Sequence, residues 1–134
     1  MIGGRVLDTT ALTDYAADRN YARALVGAAQ RSSALVLAVP AAALMAARGR
    51  LAGAARTQLG QLVTLSPVVV DELTTETAGR AGDLVARARI RPQGQVLDAA
   101  HVAFSARVRG WPVVTSSPER LLALDAALEI EHLP

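Results

Sequence analysis

Cysteine and lysine are both absent from this 134-residue chain. Without cysteine there is no disulfide, no thiolate-zinc site and no cysteine nucleophile. Without lysine there is no Walker A phosphate loop, no Schiff-base chemistry and no receiver-domain lysine. All 14 basic residues are therefore arginine. Aromatic residues make up only 3% of the chain, so the core has to be built from Leu, Val and Ala. Long apolar runs are missing too. The longest, Ala34 to Ala47, contains Pro40 and is too short to span a bilayer. The opening residues MIGGRVLDTT carry no apolar stretch of the signal-peptide kind. A soluble, cytoplasmic protein without membrane contact is the expectation.

Apolar residues form 51% of the sequence and charged residues 19%, a composition that folds. The length suits a single domain over residues 1–134. The net charge is only +2, but it is unevenly spread. Six arginines (Arg19, Arg23, Arg31, Arg48, Arg50, Arg56) precede Asp71 without an acid among them. Such a stretch can attract RNA. It also solubilises an alanine-rich surface without any partner.

Arg5-Val-Leu-Asp8 reads as a buried strand closed by an acid. Thr9 or Thr10 is placed to cap a short helix over Leu12 to Ala17, and Tyr21 to Gln30 reads as a second helix. Ala34 to Val39 is a second buried strand, and Pro40 suits the first turn of a helix reaching Ala55. Gln61 to Leu65 resembles a third strand. Glu72 to Ala88 and Val96 to Arg109 are helical, separated by a loop at Arg91 to Gly94, with Gly110 as the stop. Trp111 to Thr115 is a strand, Pro118 to Leu124 a short helix, and Leu128 to His132 a closing strand. This alternation predicts a three-layer α/β/α fold around a mostly parallel sheet.

Open parallel sheets bind ligands beyond the carboxyl ends of their strands. That rule singles out Asp8, the run Thr115-Ser116-Ser117, and Asp98 in the first turn of a helix. An acid that ends an apolar strand is costly unless it is hydrogen-bonded, metal-bound or exposed. For Asp98 the helix dipole offers a purely structural role, and for Thr10 helix capping does.

Four segments in order resemble the PIN domain family. Val6-Leu-Asp-Thr-Thr-Ala-Leu12 is similar to its opening strand, with an acid followed two residues later by Ser or Thr. Leu97-Asp-Ala-Ala-His-Val-Ala103 resembles its later acid-led helix. Gly110 to Leu121 resembles its last strand and loop, and Leu124 to Leu133 the closing strand of actinobacterial VapC-like members. The resemblance covers nearly the whole chain. It implies an Mg²⁺- or Mn²⁺-dependent endoribonuclease in which four acids hold the metal and activate water. Hard cations prefer oxygen ligands, and clustered carboxylates need a cation between them. It also implies an antitoxin-like protein partner.

Two of the four acidic positions depart from that pattern. Asp8 and Asp98 match, with Thr10 and Thr115 as supporting hydroxyls. The usual glutamate falls at Ala46 and the last aspartate at Ser117. A carboxylate about 4 Å from a divalent ion gains roughly 8 kcal/mol gross at an effective dielectric of 20, twice the unit-charge value. Desolvation removes much of that gain, yet losing two such groups weakens metal binding severely. Asp14 and Glu119 are nearby acids that read as solvent-exposed, while His101 and Trp111 read as packing residues. The expectation is thus a PIN-like protein with impaired or absent nuclease activity, weak or no Mg²⁺ or Mn²⁺, and a binding role toward RNA or protein. The alanine-rich helices also suit a homodimer. The alternative is an active endoribonuclease working with Asp8 and Asp98. A phosphotransferase with an aspartate nucleophile is weaker, because its usual second acid would have to stand at Thr10.

Overall fold

A computed structural model describes residues 3–88 and 94–134. The described residues form five strands, β1 (Gly3–Leu7), β2 (Leu35–Pro40), β3 (Val68–Asp71), β4 (Val113–Thr115) and β5 (Ile130–His132). Seven helices connect them: α1 (Thr9–Ala16), α2 (Asn20–Arg31), α3 (Ala41–Arg50), α4 (Gly53–Leu62), α5 (Thr75–Ala88), α6 (Gly94–Arg109) and α7 (Pro118–Leu124). The strand order is β3-β2-β1-β4-β5, and every pairing is parallel. The expected three-layer α/β/α architecture is what forms. The chain leaves β1 toward β2 and β3 on one side, then returns to β4 and β5 on the other. The carboxyl ends of β1 and β4 therefore flank the topological switch point.

Parallel strands buried on both faces read as continuous apolar runs, which explains Leu37-Ala-Val39 and Val113-Val114, all fully buried or nearly so. Helix α6 lies against β1, β2 and β4. Its inner face is Ala99, Ala100, Val102, Ala103 and Ala106, small residues that let the helix approach the sheet closely. Gly110 adopts a φ of 66° and ends α6 as expected. No helix among the described residues is long and apolar enough to cross a membrane.

Four local expectations need correction. Gln61 to Leu65 is not a strand. Leu59 and Leu62 are both fully buried, a helical spacing, and Thr64 and Leu65 close turns back onto Gln61 and Leu62. The third strand starts after Pro67 instead. The helix expected from Pro40 to Ala55 is two helices, because Leu51 and Ala52 are extended and Gly53 takes a φ of 57°. Helix α1 begins at Thr9 rather than Leu12, since Asp8 itself is its N-cap. Helix α5 begins at Thr75 rather than Glu72, where the Thr74 hydroxyl accepts from the Thr77 amide at 3.1 Å. The loop expected at 91–93 lies outside the described residues, and Gly94 already belongs to α6.

Candidate functional site

Asp8 leaves the carboxyl end of β1 and is 2% exposed. Its side chain turns back to cap α1, with Oδ1 accepting from the Ala11 amide at 2.9 Å. The Thr10 hydroxyl donates to the same oxygen at 2.6 Å, and the Thr115 hydroxyl donates to Oδ2 at 2.6 Å. The two hydroxyls then accept from the backbone that follows β4. Ser116 N–H donates to Thr10 Oγ1 and Ser117 N–H to Thr115 Oγ1, both at 2.9 Å. One carboxylate thus ties the ends of β1 and β4 to the first turn of α1. Burial pushes the Asp8 carboxyl above its ordinary range. The bonds from Thr10, Thr115 and Ala11 and the charge of Arg120 oppose that rise without cancelling it.

Asp98 sits near the start of α6 and is 4% exposed. The Thr9 hydroxyl donates to its Oδ2. Thr9 directly follows Asp8, so the two acids meet at the same end of the sheet. The other oxygen, Oδ1, is buried without a hydrogen bond, and Arg120 Nη1 stands 3.9 Å from it. Arg120 comes from the first turn of α7, just past β4. Sequence reasoning overlooked both Thr9 in this role and Arg120. A basic residue in the first turn of a helix, where the dipole disfavours it, was the available signal.

The remaining positions bring no further anion. Ser117 is the residue before α7, and its side chain makes no capping bond. Ala46 is half-buried on α3, one turn beyond Ala42, and α3 packs against both α1 and α6. Glu119 is exposed and Asp14 half-buried. His101 is 1% exposed and belongs to the core. Its Nδ1 accepts from the Ala42 amide at 3.2 Å, which leaves the proton on Nε2. It lines a separate cleft of about 460 Å³ with Asp71, Glu72, Ser105 and Arg109. Burial lowers its pKa, against the opposing influence of Asp71 and the Glu72 backbone. Trp111 packs as expected, with its ring over Gly4 and the Arg109 guanidinium 4.7 Å from the ring centre.

A resident Mg²⁺ or Mn²⁺ asks for several oxygens, including anionic ones, around one point. No group of three or more His, Asp or Glu side chains converges in that way among the described residues. Asp8 already accepts from three donors and Asp98 from one.

The parallel 3-2-1-4-5 sheet, flanked by helices, is the three-layer α/β/α arrangement of the PIN-like fold. Within it the chain has the fold of the VapC toxins. It is similar to VapBC2 from Rickettsia felis bound to a promoter DNA fragment, with 12% identity and a TM-score of 0.66 over 98% of this chain and 99% of that one. DNA-bound VapBC from Salmonella typhimurium gives 18% identity and a TM-score of 0.65 over 98% of each chain. The Mycobacterium tuberculosis VapC20, a Sarcin-Ricin loop cleaving toxin, gives 15% identity and 0.63 over 81% of this chain and 86% of that one. In sequence, no family model matches the chain and no curated protein matches it significantly.

Proposed function

We propose that this chain is a VapC-like PIN domain that has lost phosphodiester cleavage and acts by binding, with an antitoxin-like protein as its partner. The observation that carries this reading is the composition of the switch-point centre. Asp8 and Asp98 are the two acids present, while Ala46 and Ser117 stand where the family pattern has carboxylates. Thr10 and Thr115 hold Asp8, but a hydroxyl offers Mg²⁺ or Mn²⁺ only a neutral oxygen and none of the negative charge of a carboxylate. Any such metal is held weakly by Asp8 and Asp98 or not at all.

The likeness to VapBC complexes supports a protein partner. So do two exposed apolar side chains, Met45 at 71% on α3 and Leu97 at 54% on α6, next in sequence to Ala46 and Asp98. Their helices, α3 and α6, pack against each other, and Met45 and Leu97 are the apolar anchors a partner helix would use. RNA binding through the exposed Arg19, Arg31, Arg48, Arg50 and Arg56, and a homodimer, are the other outcomes to read.

The test is a cleavage assay on structured RNA with Mg²⁺ or Mn²⁺, beside Asp8→Asn. The expected result is no cleavage above the variant's background, and cleavage that Asp8→Asn abolishes would overturn the reading. Size-exclusion chromatography with a VapB-like antitoxin should give a stable complex. Met45→Asp and Leu97→Asp should each weaken it about tenfold, the scale of an interface residue worth ~1.4 kcal/mol.

A further inference from the structure

We propose that Arg120 is the built-in counter-cation of the Asp8–Asp98 centre, standing in for a divalent ion and keeping such an ion out. The inference rests on reading this centre as the remnant of a cation site. Two carboxylates buried at one end of a sheet repel each other and need a positive charge nearby. Arg120 supplies it. Its Nη1 lies 3.9 Å from Asp98 Oδ1, the one oxygen of the pair with no hydrogen bond, and its charge acts on Asp8 as well.

Nothing in α7 itself accounts for an arginine there. The first turn of a helix repels a cation, and Glu119 beside it satisfies that preference better. The Arg120 side chain is mostly buried, at 23% exposure, which weakens the screening of its charge by solvent. A guanidinium cannot be deprotonated in a protein, so this counter-charge persists at every physiological pH. A divalent ion bound at Asp98 would meet that fixed charge beside it. Against the two carboxylates the guanidinium offsets one of two negative charges, so the centre asks less of a metal than an acid pair without an arginine would.

The test follows thermal unfolding of the wild-type protein, Arg120→Ala, Arg120→Gln and Arg120→Lys, each with and without millimolar Mn²⁺. The wild type and Arg120→Lys should show no Mn²⁺-dependent rise in Tm. Arg120→Ala should be less stable and recover with Mn²⁺, binding it about tenfold or more tightly than the wild type once the repelling charge is gone. Arg120→Gln keeps the stem packing and serves if the alanine variant fails to fold. The recovery should vanish when Asp8→Asn is added. Variants at Arg120 that respond to Mn²⁺ no more than the wild type would overturn the proposal. RNA cleavage by the wild-type protein would instead overturn the functional reading, and it is read on a separate gel.

Discussion

The hydroxyl of Thr115, at the end of β4, donates a 2.6 Å hydrogen bond to Oδ2 of Asp8, at the end of β1. The same hydroxyl accepts from the Ser117 amide, so it links two strands and the start of the last helix. A hydrogen bond to a charged, buried group contributes more than a neutral surface one.

Thr115→Val keeps the branched shape that suits a strand and removes only the hydroxyl. Thr115 is fully buried, so the variant should lose about 1.5–3 kcal/mol of stability. Thr115→Ser, which restores the donor, should recover most of it. Equal losses in urea unfolding of the two variants would show that packing, and not the hydrogen bond, is at stake.

Asp8 makes stability depend on pH in a defined direction. Its folded pKa is raised above the ordinary 3.8, so the native state binds more protons than the unfolded state between the two values. Stability should therefore fall as pH rises from about 3.8 through the folded pKa, by at most ~1.4 kcal/mol per pH unit. Asp8→Asn removes that fall and should gain on the wild type as pH rises. Parallel stability profiles from pH 4 to neutrality, roughly the carboxylate window, would refute the assignment.

His101 works in the opposite sense. Its folded pKa lies below the ordinary 6.5, so the unfolded state binds the extra proton. Its contribution is complete above pH 6.5 and is lost as pH falls toward the folded value. His101→Asn keeps an acceptor at the Nδ1 position for the Ala42 amide and should flatten the stability curve just below pH 6.5. Chemical denaturation across that range is the measurement, and an unchanged slope would remove His101 as its source.

Gly4 is where the backbone of β1 meets the Trp111 ring. A Cβ there would lie 2.3 Å from the ring, far inside contact distance. Gly4→Ala should cost about 1–3 kcal/mol by overpacking. The cost should shrink in a Trp111→Leu background, a coupling that a double-mutant cycle reads directly.

Much of the frame was legible residue by residue. Asp8 could be placed because an acid closing the run Arg5-Val-Leu is unlike anything a solvent-facing strand needs. The helix over Pro118–Leu124 was legible because proline at a first helical turn is a local signal. Gln61 to Leu65 misled because a short apolar run has the same pattern in a buried strand and in the last turn of a buried helix. The break at Leu51–Ala52 was missed because those two residues are good helix formers themselves, although Gly53 just after them is the signal that marks it.

The sequence by itself determined the alternation of strands and helices and the aliphatic core. Those follow from residue type and short-range spacing, which are written along the chain. Only the tertiary structure decided that Thr9 faces Asp98, that Thr115 holds Asp8, and that Arg120 stands 3.9 Å from Asp98. Those partners sit on different elements, and their meeting depends on how β1, β4, α6 and α7 converge at the switch point. Coulomb and hydrogen-bond energies depend on separation in space, a quantity that spacing along the chain does not carry.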